Sequence, residues 1–496
     1  MEGGQAREEQ RHRVRQGRCH GGHRRRPDEP RGQRAHRHLE GRRLRPAHRG
    51  QRHGKRRLLP LPRRAGAGHR GRGHSHRAPR GVDPRRRGHR GRRGPRRRDG
   101  HHRAPALPAL IWAVVIGALA LACWAGVLLH PARPWDLRPV DDDDPPPPDP
   151  PAWPAVGVVI PARNEAKSIG PTLGALAQQD YPGEMRIVVV DERSSDATGA
   201  VAREMARVSQ VPIEVITGEP LPDGWAGKVW GMDQGVRRHD AIGNPEWLLL
   251  TDADIHHAPD SVRRLVADAL GRRVALDSRM ARLRCESFAE RLLIPPFVLF
   301  FFLLYPLRWA NRAGSRTASA AGGCVLVSTE ALSQAGGLQS IRRALIDDLS
   351  LVRRVKHVAG LPTRLALSRT RVVSTRPYED IGDVWTMVRR SAFTQLRRNW
   401  LLLAGVLAVL LLMFAGPIVA LVAGIVGAAI GGGSPAWWAL GLGFAGWLAM
   451  AVADGPTARE FGLGLGWQLA LPLSGLLYGA MTLDSALRGP RGGGWR

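Results

Sequence analysis

The stretch Trp247–Pro259, WLLLTDADIHHAP, runs apolar through Leu248–Leu250 and then sets two carboxylates, Asp252 and Asp254, two residues apart. Carboxylates at that spacing on a loop can present oxygens to a hard divalent cation, Mg2+ or Mn2+, which completes its shell with substrate phosphates. An ion held in this way neutralises the charge developing on a diphosphate leaving group. Asp-x-Asp alone is common in solvated loops; the buried run in front of it and the acids elsewhere in the chain raise its weight. Asp191 ends another apolar run, RIVVVDE (Arg186–Glu192), and Asp347 and Asp348 lie side by side in ALIDDLSLVRRV.

These acids need a frame. VGVVIPA (Val156–Ala162) reads as a buried strand, 165–179 as a helix, Arg186–Glu192 as a strand and 195–208 as a helix, followed by strands at 213–217 and 246–254. Such alternation predicts an α/β fold with a mostly parallel sheet and helices on both faces. Ligands bind such sheets outside the carboxyl ends of the strands. Asp191 and the Asp252/Asp254 pair, about 60 residues apart, are thereby placed on one rim.

The flanks differ in kind. Leu107–Leu129 is 23 nearly continuous apolar positions, long enough to span a bilayer of about 30 Å. Trp400–Ile430, Pro435–Ala453 and Phe461–Leu483 are further apolar candidates. Between the anchor and the domain, DDDDPPPPDPP (Asp141–Pro151) reads as an extended, self-repelling spacer. Residues 292–309, apolar but broken by Pro295, Pro296 and Pro306, read as an interfacial or re-entrant segment, with a buried core helix as the bland alternative. The expected division is a disordered tail at 1–104, an anchor at 105–130, an Asp/Pro linker at 131–154, the α/β domain at 155–399, membrane helices at 400–485 and a short tail at 486–496.

The formal charge of +31 is concentrated in residues 1–103, where 35 Lys and Arg face 8 Asp and Glu, so the rest of the chain carries only about +4. That tail is too poor in apolar residues to fold. With 70 Arg against 4 Lys in the chain, it reads as translated upstream sequence, the start expected near residue 100. Nucleic-acid binding would rest on the tail alone and is not expected. The four Cys are not at metal spacing, and no disulfide framework is expected.

VVIPARNE (Val158–Glu165), VVVDERSSDAT (Val188–Thr198), LLLTDADI (Leu248–Ile255) and ALIDDLSLVRRV (Ala344–Val355) occur in the order seen in inverting family 2 glycosyltransferases of the GT-A fold. With GWAGKVWGM (Gly224–Met232), AAGGCVLV (Ala320–Val327) and the apolar flanks, the chain most resembles the hopene-associated, membrane-bound (HpnB-like) branch. The resemblance implies a nucleotide-sugar donor, a hopanoid or polyprenoid lipid acceptor, a divalent cation and a membrane-bound catalytic domain facing the cytoplasm. Position by position, it implies that Pro161, Asn164 and Glu165 line the nucleotide pocket and that Asp191 accepts a hydrogen bond from the base. Asp252 would face the ribose or sugar and share the metal with Asp254. Lys228 would meet the diphosphate. Asp348 would be the base that takes the acceptor proton, with Asp347 shaping its pocket; an acidic helix N-terminus explains the same pair more blandly. His256 and His257 read as bystanders. Processive relatives carry Gln-x-x-Arg-Trp; QLRRNW (Gln395–Trp400) has one residue too many, which weighs against a polysaccharide synthase. A non-catalytic membrane scaffold would leave the acids unexplained.

Overall fold

The computed structural model describes residues 106–145, 147–238 and 240–488; the expected disordered tail and all but three residues of the 486–496 segment lie outside them. The strands are β1 (Val156–Ala162), β2 (Met185–Asp191), β3 (Ile213–Thr217), β4 (Trp247–Thr251), β5 (Ile255–His257), β6 (Leu276–Met280), β7 (Cys324–Ser328), β8 (Thr363–Leu367) and β9 (Val372–Ser374). Seven form one sheet in the order β3-β2-β1-β4-β7-β6-β8, and β5 pairs with β9 as a separate antiparallel ribbon. β1 to β4 are parallel, β7 runs antiparallel to both β4 and β6, and β6 and β8 are parallel.

The helices are α1 (Ala106–Leu129), α2 (Ile169–Ala177), α3 (Thr198–Val208), α4 (Gly227–Val236), α5 (Ser261–Gly271), α6 (Phe288–Leu304), α7 (Leu307–Ala310), α8 (Thr329–Gln334), α9 (Asp347–His357), α10 (Ile381–Gln395), α11 (Trp400–Leu410), α12 (Gly416–Ala429), α13 (Gly433–Glu460), α14 (Leu465–Leu469) and α15 (Leu471–Arg488). The two-residue period of the strands divides the core. Val158, Ile160, Ile187, Val189 and Leu249 point to one face and pack on α2, α3 and α5. Val159, Val188, Val190, Leu248 and Leu250 point to the other and pack on α4, α8 and α9. Both faces are covered, which is why these strands read as continuous apolar runs rather than alternating ones.

Among the described residues three helices are long and apolar enough to cross a membrane: Leu107–Leu129, Trp400–Ala429 and Gly433–Glu460. The second comprises α11 and α12 joined by a single π turn, Leu411–Ala415. α12 and α13 meet backbone to backbone at Gly424 and Gly443, where a Cβ would collide with Leu440 and Leu421. The end of α1, the start of α11 and the end of α13 all lie beside the α/β domain. Arg308 of α7 donates to the Pro131 carbonyl just after α1 (3.2 Å), α10 leads directly into α11, and Arg369 pairs with Glu460 at the end of α13 (2.7 Å).

Three expectations need correction. The Asp/Pro segment is not a self-repelling spacer. Val140 bridges to Leu367 at the β8 edge of the sheet, and the acids that follow are pinned to arginines. Arg279 Nε lies 3.1 Å from Asp141, Arg272 Nη2 2.9 Å from Asp144, Arg371 Nε 2.8 Å from Asp260 beside them, and Arg263 Nη2 2.6 Å from Asp149. Like charges extend a chain only when no counter-charge faces them, and here the domain supplies it. Second, residues 292–309 are a packed pair of helices rather than an exposed or re-entrant segment: they form most of α6 and α7, Leu293, Ile294, Leu299 and Phe302 are fully buried, and Leu299 packs on Trp124, Phe414 and Met450 of the apolar helices. Third, Phe461–Leu483 is not a membrane-length helix; it breaks into α14 and α15. The last two share a cause. Pro296 cannot donate to the Leu292 carbonyl, and Ser474 Oγ of α15 donates to that oxygen instead (2.7 Å), while Tyr478 OH donates to the Leu293 carbonyl (2.8 Å). The polar side chains of α15 thus serve the proline-broken helix.

Candidate active site

The parallel register puts Ala162 of β1 beside Asp191 of β2, and β4 beside β1, so Asp191, Asp252 and Asp254 do share the carboxyl rim. The β1–α2 and β2–α3 loops are stitched together there. Asn164 takes a left-handed conformation (φ 56°); its N–H donates to Ser194 Oγ (2.9 Å) and its Oδ1 accepts from the Ser195 N–H (2.8 Å). The Glu165 N–H donates to Thr198 Oγ1 (2.7 Å). These bonds delay the start of α2 to Ile169, four residues later than the apolar spacing predicts. Asp191 is buried and accepts the Ser194 N–H (3.0 Å), and Pro161 lies on β1 beside Gly231 of α4.

Lys228, one residue into α4, is the hub. Its Nζ lies 2.7 Å from Asp252 Oδ1 and 3.3 Å from Asp347 Oδ2, and it contacts the Gly322 carbonyl at 3.4 Å. Gly322 is the floor between them: a Cβ there would stand 3.1 Å from Lys228 Nζ and 3.4 Å from Asp348 Oδ2. One acid of each pair, Asp252 and Asp347, separated by nearly a hundred residues, therefore meets the other on one ammonium. Burial alone would lower the Lys228 pKa, but Asp252 and Asp347 outweigh it and hold the amine charged. Asp348 is different. Loss of water, then the neighbouring Asp347 charge, push its carboxyl up to about 7, with Lys228 opposing. Burial likewise raises Asp252, against the pull of Lys228.

Sequence reasoning missed two participants. Arg376, just past β9, donates from Nε to Asp254 Oδ2 (2.6 Å) and from Nη2 to Glu165, tying the metal candidate to the β1–α2 loop. Nothing in its own stretch, VSTRPYED, marks it; only the β5–β9 pairing carries it there. Glu192, next to Asp191, is pushed up to about 8, chiefly by burial, and its Oε1 has no hydrogen-bond partner among the described residues. His257 faces the core: Nε2 lies 2.9 Å from Thr251 Oγ1 and Nδ1 3.3 Å from Ser261 Oγ, and burial lowers its pKa to about 3. It holds the strand end, and His256 is exposed.

Among the described residues no three His, Cys, Asp or Glu side chains close on a point as a metal cage. The donor chemistry nonetheless fits a hard divalent ion. Asp252 and Asp254 offer adjacent oxygens, and among the described residues Glu165, Asp252, Asp254 and Asp347 pair with only two cations, Lys228 and Arg376, with Asp348 beside them. Five acids against two bases leave negative charge for an added cation, whose shell substrate phosphates would complete.

The chain resembles known proteins over part of its length. It is 32% identical over 159 residues to an N-acetylglucosaminyltransferase of Mesorhizobium japonicum, covering 29% of this chain and 34% of that protein. It is 33% identical over 124 residues to a polyprenol monophosphomannose synthase of Mycolicibacterium smegmatis, covering 25% and 44%. The chain thus spans less than half the length of these curated relatives. A mannosyltransferase from Pyrobaculum calidifontis, solved with GDP-Man and Mn2+, covers 76% of this chain and 98% of its own at 21% identity, with a TM-score of 0.45. The family model for glycosyltransferase-like family 2 matches residues 154–400, the span that holds the seven-stranded sheet and every acid of the candidate site. Residues 154–400 are a glycosyltransferase-like family 2 domain.

Proposed function

We propose that the protein is a membrane-bound inverting glycosyltransferase that moves a sugar from a nucleotide-sugar donor to a lipid acceptor, hopanoid or polyprenoid. The observation that carries this reading is the meeting of Asp252 and Asp347, one acid of each pair, on Lys228 at the carboxyl rim of the sheet, with Asp348 beside them. Pro161, Asn164, Glu165 and Asp191 line the base end of the donor pocket. Asp254 and Asp252 would hold a divalent cation, which supplies charge neutralisation of the leaving diphosphate. Lys228 adds a positive charge on the same side. Asp348 takes the proton of the acceptor hydroxyl: burial and the Asp347 charge raise its pKa against the pull of Lys228, which makes it a base matched to neutral pH. Attack and departure occur on opposite faces of the sugar, which inverts the anomeric centre.

Nucleotide sugars are cytoplasmic, so the domain faces the cytoplasm in this reading. The end of α1, the start of α11 and the end of α13 then lie on that side. The experiment is turnover of a panel of uridine and guanosine diphosphate sugars by the purified full chain in lipid nanodiscs. Asp254→Ala is expected to abolish turnover, and chelator to mimic it in the parent. Full turnover in excess chelator would remove the metal from the reading; no binding of any nucleotide sugar would overturn the function.

A further inference from the structure

Next to the acid site lies an open cavity of about 530 Å3, bounded by the loop at Gly224–Ala226, the loop carrying Arg343 and the end of α10 with Arg397 and Arg398. Three guanidiniums line it. By contrast, Arg279 and Arg376 are each held by carboxylates at 2.6 Å or less. Arg343, Arg397 and Arg398 have no carboxylate within ion-pair distance among the described residues, although each points into the same space.

The backbone beneath two of them is unusual. Arg397 and Arg398 are both left-handed, with φ 53° and 54°. Side chains with a Cβ adopt that region at a cost, and two in succession call for a compensating use. The turn is fixed by the Arg397 N–H donating to the Thr394 carbonyl and the Arg398 N–H to the Phe393 carbonyl, both 2.9 Å. Two residues later Trp400 opens the second membrane-length helix, and Trp400 and Leu401 are 56% and 84% exposed. The cavity therefore sits where a lipid head group would lie, with bare apolar surface alongside for its chains. Basic residues commonly flank membrane helices, but Arg343 belongs to no such flank and lines the cavity all the same. Its loop also leads into the proposed base, and the Ala226 N–H donates to the Arg342 carbonyl (2.6 Å), tying it to the Lys228 loop.

We propose that these three arginines hold the phosphate of the acceptor, and that the acceptor is a phosphate-bearing lipid with a free hydroxyl. This rests on the glycosyltransferase reading and narrows its acceptor: a lipid with no phosphate would leave the cluster unpaired. The hydroxyl oxygen bonds to the anomeric carbon, its proton goes to Asp348, and the bond to the diphosphate breaks with its electron pair. The phosphate takes no part in bond making; it fixes the hydroxyl over the base.

The test uses the full chain in detergent and measures the affinity of short-chain phosphatidylglycerol, of diacylglycerol, of inorganic phosphate and of uridine and guanosine diphosphates. Phosphatidylglycerol is expected to bind more tightly than diacylglycerol or inorganic phosphate. Arg343→Gln should weaken it about tenfold, and the three arginines replaced together about a thousandfold, since each charge-assisted bond is worth roughly one such factor. Arg397→Gly with Arg398→Gly suits the left-handed backbone, so that pair should fold as well as the parent and still lose lipid affinity. Nucleotide affinity should not change. Diacylglycerol or inorganic phosphate binding as tightly as phosphatidylglycerol would overturn the proposal, as would unchanged lipid affinity in the variants. A parallel loss of nucleotide affinity would reassign the arginines to the donor. Nucleotide binding without lipid preference defeats this inference alone, whereas absent nucleotide binding defeats the glycosyltransferase reading.

Discussion

Two networks of acids and bases sit about the same sheet, and they behave in opposite ways. At the β8 edge, Asp141, Asp144, Asp268 and Asp277 meet Arg264, Arg272, Arg279, Arg364 and, more distantly, Arg371, so that every acid faces at least one arginine. Burial pushes Asp268 up, but Arg279 and three further arginines outweigh it and keep its carboxyl low. At the carboxyl rim, five acids share Lys228 and Arg376, and Asp348 rises to about 7. Residue types do not separate the two; charge balance does. A balanced network is finished and holds the fold. An unbalanced one is incomplete without something from outside, and that incompleteness is what a substrate or cation can use.

The comparison is broken most severely by Asp348→Asn, which keeps size and removes basicity. Its turnover should fall about 10²–10⁴-fold, with nucleotide affinity and thermal midpoint at pH 5 unchanged. If Asp347→Asn is dead and Asp348→Asn active, the roles in the pair are reversed. Arg279→Met tests the other network. It removes the one arginine that touches Asp277, Asp268 and Asp141 together in a nearly solvent-free site and leaves them the longer contacts to Arg264 and Arg364, so chemical denaturation should show a loss of about 3 kcal/mol. The folded fraction should turn over normally; a selective loss of turnover would mean the network reaches the site.

The smallest effect is the sharpest in sign. Asp348 has a folded pKa above its unfolded one, so the native state holds an extra proton between about pH 4 and 7, and the stability this gives is lost as pH rises through about 7. Asp268 is depressed, so its contribution is present above its unfolded pKa and lost as pH falls. Asp141, raised by burial, runs against its neighbour there. Thermal midpoints should therefore show Asp348→Asn gaining on the parent from pH 5 to pH 8. A gap that does not widen would remove the raised Asp348 pKa, while parent turnover should rise over the same interval as the base ionises.

The strands were legible because both faces are buried, and apolar runs such as VGVVIPA and WLLLT have one reading there. The carboxyl rim followed from parallel pairing, which is why Asp191 and Asp252 could be joined across 61 positions. Arg376 was not legible, because a two-strand ribbon of three residues each brings it in and no periodicity marks so short a pair. The acidic run misled for a related reason: its own composition says repulsion, and its partners lie on α5, β6, β8 and the loop beyond. Leu292–Trp309 misled because a Pro pair reads as a break, whereas α15 supplies the donor that lets the helix continue.

The docked acidic run also sets a clock. Its arginine partners follow it by 114 to 230 residues. At usual rates of synthesis the acids leave the ribosome on the order of ten seconds or more before the last of those arginines. During that interval α1 has emerged but the seventh strand of the sheet has not. We expect the seam along β8 to be the last part of the domain to close. A chain stalled before Thr363 should remain sensitive to protease across 141–151, and one stalled beyond Ser374 should resist it there.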